Sequence, residues 1–409
     1  MRNEDDPDVG ARRYRMLVVL AVAELLAMTL WFSASAVGPE LARAWSLTGA
    51  QTAWLTNAVQ LGFVVGALLS AAVTLSDVVA PRHLFAGSTL VGATATALIA
   101  GVVDSFLPAV ALRLLTGIAL AGVYPPGMKV VAGWFREGRG FAIGALVGAL
   151  TVGSAMPHLL RAVGGVGDPT AVLYGAAGLA VVGGLLVLFV EPGPYQADPA
   201  PFDPRAVRRL LRDRPAMLAN LGYFGHMWEL YAVWAWIPVY LAASATAGTP
   251  ATPRVGALLA FGAIAVGGLG ALLAGRWADR IGRTAVTSAS MAVSGSACLL
   301  AGIVFGAPLL VLAPFVLVWG FAVVADSAQF SAAVSELADD RYVGTALTLQ
   351  TAVGFLVTIG SIQLTPLVAD AVGWRWAFLP LVVGPLVGTA AMLRLRVHPA
   401  ATALAGGRR

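Results

Sequence analysis

The sequence has one cysteine and little charge. Cys298 is alone, so no disulfide framework can form, and its apolar surroundings argue against redox chemistry. Charged residues make up 11% of the 409 positions, which is too little to cover the surface of a soluble protein. We therefore expect most of the chain to face lipid rather than water.

Hydrophobic residues, in contrast, make up 58% of the chain. They fall in twelve blocks, each near the ~20 residues that a helix needs to span a bilayer. Helices are favoured because they satisfy their own backbone hydrogen bonds in lipid. The predicted spans are 15–38, 50–75, 82–102, 106–130, 140–162, 170–190, 215–243, 253–275, 284–305, 308–334, 343–366 and 373–393.

A segment rich in proline and arginine, 191–214, divides the spans into two sets of six. Two hydrophobic halves with equal numbers of spans are typical of secondary transporters built by repetition. We therefore predict an all-α membrane protein with twelve transmembrane helices in two pseudo-symmetric six-helix bundles. The predicted division is an N-tail at 1–14, bundles at 15–190 and 215–393, the linker between them and a C-tail at 394–409.

The net charge of +5 is distributed in a way that indicates a membrane rather than nucleic acid. With a cytoplasmic N-terminus, four of the 26 basic residues fall in outside loops, Arg113 lies inside a span, and the rest lie on the cytoplasmic side. This is the positive-inside rule, which places both termini in the cytoplasm. We expect a multi-pass monomer in the lipid bilayer of the plasma (inner) membrane.

A short motif recurs at the end of the second and eighth spans. Residues 66–69 and 270–273 both read Gly-Ala-Leu-Leu, and an aspartate follows each copy. The first copy departs from the longer pattern after Asp77, whereas the second continues through Asp279 to Arg283. The stretch 270–283 resembles the Gly-x-x-x-Asp-Arg-x-Gly-Arg-Arg loop of the major facilitator superfamily, without its last basic residue.

This resemblance covers essentially the whole chain, through the number of spans, the position of the linker and the motif. It implies a conformational latch made of Asp279, Arg280, Gly282 and Arg283. An aspartate at one helix end can bind backbone N–H groups at the start of a neighbouring helix, where the helix dipole favours negative charge. The alternative is that these charges only mark the cytoplasmic face.

Span four carries a second resemblance to this superfamily. Arg113 opens the span, glycines and the pair Pro125–Pro126 follow, and Trp134-Phe135 begins the loop that closes it. This pattern is similar to that of uptake porters for small anions, including nitrate, cyanate and organic acids. It favours uptake of a small, anionic solute.

Charged side chains inside a bilayer cost roughly 2.5 kcal/mol or more each, so each is a candidate functional residue. Span seven carries Tyr223, His226, Glu229 and Trp236 on one helical face. His226 and Glu229 lie one turn apart near mid-membrane, as a pair that a proton-coupled carrier can titrate. The alternative is a buried hydrogen bond that ties helices together.

Spans ten, four and one add further candidates. Asp326 and Gln329 share a face of span ten, and alignment of the two halves puts Asp326 opposite Tyr124 in span four. The resemblance places spans one, four, seven and ten around a central cavity. There, Glu24 in span one either lines the cavity or bridges to a neighbouring span. Arg113 either binds an anionic solute or pairs with a buried acid.

Weaker candidates for the cavity wall are polar or aromatic residues that also suit helix packing. They are Trp31, Asn57, Gln60, Tyr223, Trp236 and Gln350. The spacing of His226 and Glu229 is compatible with a metal, but no further ligands accompany them, so we expect no metal and no cofactor.

The expected function is proton-coupled uptake of a small solute by alternating access, because titratable residues fall in spans expected at the cavity. No Gly-x-x-x-x-Gly-Lys loop is present, which argues against ATP-driven transport. Proton-driven efflux of a cationic or amphipathic compound remains open. A lipid enzyme or a solute sensor is disfavoured, because no catalytic set converges and both tails are short, so we do not expect an enzyme.

Overall fold

The computed structural model describes residues 7–73, 75–135, 139–165, 167–195, 212–248, 250–338 and 343–408. Regular secondary structure in these ranges is helical throughout. Most of the predicted linker, the predicted N-tail up to residue 6 and residues 136–138 of the loop after span four lie outside the described residues.

Twelve long helices follow one another through the described ranges, in the order that hydrophobicity predicts. They are α1 (Pro7–Met28), α2 (Gly49–Ala72), α3 (Pro81–Gly101), α4 (Phe106–Trp134), α5 (Arg139–Leu160), α6 (Pro169–Leu186), α7 (Arg214–Ala247), α8 (Pro253–Ile281), α9 (Arg283–Val304), α10 (Leu309–Leu337), α11 (Val343–Val372) and α12 (Val383–Arg396). The predicted all-α fold is confirmed.

Eleven candidate membrane spans meet the length and composition of a bilayer-crossing helix. The remaining helix, α1, carries arginines in its first half and Glu24 in its second. Successive helices run in opposite directions, so the starts of α1 and α7 and the ends of α6 and α12 share one face. We call this the terminal face and the opposite one the distal face.

Three helices are interrupted within the membrane. α1 ends at Met28 and the chain continues in two short helices, Ser33–Ala36 and Gly38–Ala44. α4 consists of Phe106–Leu120 and Tyr124–Trp134, and α10 consists of Leu309–Ala325 and Ser327–Leu337, with Asp326 at the break. Because α4 and α10 are the fourth helices of the two halves, the break recurs with the repeat.

Local sequence explains several helix starts. The side chain of Thr48 accepts from the backbone of Gln51 in a capping box at the start of α2, and Asp213 caps α7 in a related way. Prolines occupy the first positions of the second segment of α4, where the N–H that proline lacks would be unpaired. Gly282 has φ 96°, which permits the tight turn from α8 to α9.

Glycines bring helices into backbone contact within each half. A Cβ at Gly62 or Gly117 would clash with the backbone of the facing helix, so α2 and α4 can pack this closely only without side chains there. Gly320 of α10 contacts the carbonyl of Ala263 of α8 in the same way. These are corresponding helix pairs of the two halves.

The two halves meet along α5 with α8 and along α2 with α11. Gly148 of α5 faces Gly268 of α8, where an added Cβ would lie 3.2 Å from the Gly268 carbonyl oxygen. Asn57 of α2 donates to Gln363 of α11 at 3.1 Å, near the distal face. Residues from both halves therefore surround the centre of the bundle.

Candidate functional site

Glu24 of α1 is fully buried, and neither of its carboxylate oxygens has a hydrogen-bond partner among the described residues. It faces the second segment of α4, because a Cβ on Gly127 would lie 3.1 Å from Glu24 Oε2. Tyr124 is the first residue of this segment. An ionised carboxylate in these surroundings is stable only beside a cation, and otherwise the neutral acid is favoured.

His226 and Asp326 form a buried contact between α7 and α10. His226 Nδ1 lies 2.8 Å from Asp326 Oδ1, at the break in α10. Neither His226 Nε2 nor Asp326 Oδ1 makes a hydrogen bond of good geometry among the described residues, so the contact is one of proximity, and the ring packs 5.5 Å from Phe330. The expected pairing of His226 with Glu229 is wrong, because the imidazole turns toward the neighbouring helix instead.

Glu229 is held by three donors from two other helices of its half. Ser294 Oγ donates to Oε2 at 2.8 Å, while Trp319 Nε1 and Cys298 Sγ donate to Oε1 at 2.9 and 3.2 Å. These partners belong to α9 and α10. The carboxylate thus lies inside the second six-helix half, where hydrogen bonds to three side chains offset part of its desolvation cost.

Arg113 satisfies backbone carbonyls that the break in α1 leaves free. Its guanidinium donates to Leu30 O at 2.9 Å, to Trp31 O, to Leu55 O at 3.0 Å and to Ser33 Oγ at 3.1 Å. Carbonyls at a helix end lack intrahelical partners, which explains the first two contacts. No carboxylate contacts Arg113 among the described residues, so it holds α1 and α2 against α4.

The comparison with protein families decides the class of this architecture. The family model described as Major Facilitator Superfamily matches residues 20–268 and 220–409. The chain belongs to the Major Facilitator Superfamily. It is accordingly a secondary transporter with a small-molecule substrate and not an enzyme, and it is a multi-pass protein of a lipid bilayer.

Two solved structures show the same superfamily fold. One is a mutant of the nucleoside transporter NupG, with a TM-score of 0.72, 16% sequence identity, and coverage of 93% of this chain and 99% of that one. The other is a bacterial homologue of the human lysosomal transporter Spinster in an inward-facing, unoccupied conformation, with a TM-score of 0.71, 15% identity, and coverage of 97% and 98%. A search of curated proteins found no match.

The superfamily motif after α8 places Arg283 in a three-way contact. Its guanidinium binds both carboxylate oxygens of Glu336 at 2.6 and 2.8 Å and the side-chain oxygen of Gln329 at 2.8 Å. The predicted latch residues Asp279 and Arg280 are exposed, and among the described residues Arg408 donates to the backbone carbonyl of Asp279. Gly282 supplies the turn between them.

The chain after α12 reaches the same carboxylate. The backbone N–H of Ala405 donates to Glu336 Oε2 at 3.1 Å, and Ala401 and Leu404 are fully buried. Residues Pro399–Gly407 form this segment, which we call the C-terminal strap. It ties the terminal end of α10 to the chain that follows α12.

The weaker candidates divide into paired and unpaired groups. Gln350 bridges Asn220 and Ser331, and Trp236 donates to the Ile362 carbonyl at 2.9 Å. Tyr223 packs 6.1 Å from His226. The unpaired atoms belong to three residues, namely Trp31 Nε1, Asn57 Oδ1 and both amide atoms of Gln60.

Sequence reasoning missed the partners rather than the buried charges. In the sequence, Glu336 is an ordinary acid just after the predicted span ten, and Trp319 is one apolar residue among many within it. Glu336 lies close to Arg283, and Trp319 close to Glu229, because of packing between helices. Such packing produces no pattern in the neighbouring sequence. Among the described residues, no cluster of three or more His, Cys, Asp or Glu side chains has the arrangement of a metal site.

Proposed function

We propose that this transporter is a proton-coupled carrier for a small solute without negative charge, and that it works by alternating access between its two halves. The observation that carries the proposal is the buried, unpartnered carboxylate of Glu24. Such a group is neutralised either by a proton or by a cationic solute. Because one ligand excludes the other, this arrangement supports proton-driven antiport.

Uptake by symport is the second candidate, and the contact between His226 and Asp326 favours it. These side chains belong to α7 and α10 whereas Glu24 belongs to α1, so a proton site and a site for a neutral solute need not coincide. Tyr124, at the break in α4, and Asp326, at the break in α10, occupy corresponding positions in the two halves. We propose that protons pass between these two regions.

An anionic solute has less support. The expectation came from the resemblance of span four to anion porters, in which Arg113 was the residue that could bind an anion. The four described hydrogen bonds of Arg113 go to the break after α1 and to α2. We propose that Arg113 is a positioning residue for the break in α1. Likewise, the three donors around Glu229 support the alternative expected from the sequence, a buried structural hydrogen-bond group.

We propose the latch at the terminal face as the element that distinguishes the two transport conformations. Arg283 with Glu336 and Gln329 forms it in this structure, while Asp279 and Arg280 are exposed and free to engage in the other conformation. The arrangement of basic residues supports a cytoplasmic terminal face in a plasma membrane. The division into bundles at 15–190 and 215–393 with tails and a linker, and a monomeric state, belong to the same proposal.

The test uses protein reconstituted in liposomes that contain a pH-sensitive dye. Solutes are added outside, namely N-methylquinolinium as a cation, adenine as a neutral compound and quinaldate as an anion. Wild-type protein should move protons against the cation, whereas Glu24→Gln, which lacks the charge that both ligands neutralise, should move no protons and bind the cation more weakly. Asp104→Asn, an exposed acid at the distal face, is the matched control.

Proton flux in Glu24→Gln equal to that of the wild type would remove Glu24 from the coupling mechanism. Proton movement in the same direction as adenine would favour symport over antiport. A response to quinaldate alone would return the solute to the anionic class.

A further inference from the structure

Six buried aromatic rings join the two halves near the middle of the spans. We call them the aromatic seam. Its members are Trp31, Phe32 and Phe63 from the first half and Tyr231, Trp234 and Phe355 from the second.

The ring contacts of the seam cross from one half to the other. Trp31 stacks on Phe355 with centroids 5.3 Å apart, and Phe63 lies 4.7 Å from the same ring. Phe32 stacks on Tyr231 at 6.0 Å. Any movement that parts the two halves at this level must separate these pairs, and it leaves flat aromatic surfaces on both walls of the opening.

The indole groups of the seam lack partners that other buried tryptophans have. Three buried tryptophans donate their N–H to a protein oxygen, and these are Trp134, Trp236 and Trp319. The N–H groups of Trp31 and Trp234 have no acceptor among the described residues. An unpaired buried donor costs about 1–3 kcal/mol, so this pattern calls for an acceptor that the protein itself does not supply.

Buried amide side chains likewise divide into those with a hydrogen-bond partner and those without. Gln350 and Asn220 bind each other, and Gln329 accepts from Arg283. Gln60, three residues before Phe63 on α2, has neither a donor nor an acceptor among the described residues and is fully buried. A primary amide offers one acceptor and two donors in one plane, which suits the edge of a heterocycle.

The acid near the seam has no protein partner, whereas the base is held by protein groups. Glu24 lies near the end of α1, seven residues before Trp31, and has no hydrogen-bond partner among the described residues. The guanidinium of Arg113 donates to the carbonyls of Leu30 and Trp31. Aromatic faces also attract cations through their quadrupole. The site therefore selects against anions and accepts neutral or positively charged rings.

We propose that the aromatic seam and Gln60 form the recognition site for a planar nitrogen heteroaromatic solute, neutral or cationic, with hydrogen-bonding groups on its edge. This inference rests on the proposed function, of which it names the substrate class. The rings stack on the faces of the solute, the Gln60 amide binds its edge, and the indole N–H groups of Trp31 and Trp234 donate to its acceptors.

The experiment measures thermal stability of purified protein against four probes. N-methylquinolinium and adenine are planar heteroaromatic compounds, N,N-dimethylpiperidinium is a saturated cation, and quinaldate is a planar anion. Both heteroaromatic probes should raise the melting temperature of the wild type by mass action, and the other two should not.

The variant Gln60→Leu distinguishes an effect on ligand binding from an effect on protein stability. Because it removes an unpaired buried amide, it should raise the melting temperature of the free protein, and it should weaken heteroaromatic binding by about tenfold or more. Trp31→Phe keeps an aromatic ring but removes the indole N–H, and it should also weaken binding of the heteroaromatic probes. Trp134→Phe, which breaks a paired indole contact elsewhere, should lower stability and leave probe affinity unchanged.

Three results would overturn the proposal: equal stabilisation by the saturated cation, no stabilisation by either planar probe, or unchanged affinity in Gln60→Leu. The proposed function fails separately. If the saturated cation causes proton movement that Glu24→Gln abolishes, the proposed coupling role of Glu24 is supported and the heteroaromatic substrate class is wrong. If the planar probes bind through Gln60 while Glu24→Gln still moves protons, the substrate class stands and the coupling site is wrong.

Discussion

His226 Nδ1 lies 2.8 Å from Asp326 Oδ1, and this contact fastens the middle of α7 to the break in α10. Both side chains are almost completely buried, so water cannot replace either partner at low cost. A movement of the second segment of α10 relative to α7 must carry the pair along or break it. The contact between the two side chains and the geometry of the break are therefore linked.

The first prediction concerns that pair. His226→Gln and Asp326→Asn should each lower the free energy of unfolding by about 2–4 kcal/mol, because each leaves a buried polar partner. The double variant should lose much less than the sum of the two, as expected for side chains in contact. Denaturant unfolding of the three variants measures this, and additive losses would contradict a direct interaction.

Glu229 should tolerate an amide but not a hydrocarbon. Glu229→Gln retains an acceptor oxygen for Trp319 and Cys298 and should lose little stability, with proton flux preserved. Glu229→Leu leaves the three donors unpaired and should cost about 2–4 kcal/mol. Thermal melts and the proton-flux assay report the two effects, and loss of flux in a stable Glu229→Gln would restore Glu229 as a coupling residue.

Replacement of Arg113 should act on folding rather than on binding. Arg113→Lys cannot reach several carbonyls with one ammonium group, so α1 and α2 lose an anchor and stability should fall by about 2–4 kcal/mol. Affinity of the remaining folded protein for a bound probe should stay within about threefold of the wild type. Selective loss of quinaldate binding, with normal stability, would show instead an anion site.

The latch predicts an effect on turnover. Arg283→Gln and Glu336→Gln should change the transport rate by a similar factor with little change in solute affinity, because both remove one contact between α9 and α10. Asp279→Asn should have a smaller effect in the conformation described here, since that side chain is exposed. Initial rates and equilibrium binding give the comparison, and a pure loss of affinity would contradict the latch.

Close helix packing gives a matched pair of glycine variants. Gly117→Ala places a methyl group against the backbone of α2 and should destabilise the protein by about 1–3 kcal/mol or more. Gly178→Ala on α6 meets open space and should leave stability unchanged or raise it by up to about 1 kcal/mol. Equal melting temperatures would show that α2 and α4 are less tightly packed.

The spans were predictable because lipid imposes both their length and their composition. Predicted starts such as 50, 82, 170 and 253 lie within one residue of the observed helices. The first and last spans are exceptions. α1 covers Pro7–Met28, whereas the prediction was 15–38, and α12 begins at Val383, whereas the predicted start was 373, because short 3₁₀ turns occupy the intervening residues. A helix can extend beyond lipid through Arg12 and Arg13, and hydropathy does not register that extension.

The candidate site was predictable as a set of residues but not as a set of contacts. Burial of charge in a membrane is costly wherever it occurs, so Glu24, His226 and Asp326 are conspicuous in the sequence alone. The partners of these side chains come from other helices. His226 contacts Asp326 and not the expected Glu229, and Arg113 binds backbone carbonyls and not the expected buried acid. Those choices depend on where α1 and α10 break.

The burial of Cys298 has a practical consequence for spectroscopy. Its thiol points at Glu229 inside the second half, and the chain has no other cysteine. A thiol-reactive spin label should therefore attach only where a cysteine is introduced. Labels on the exposed positions Ser105 and Thr246, one in each half at the distal face, would report the width of the opening directly, without prior removal of native thiols.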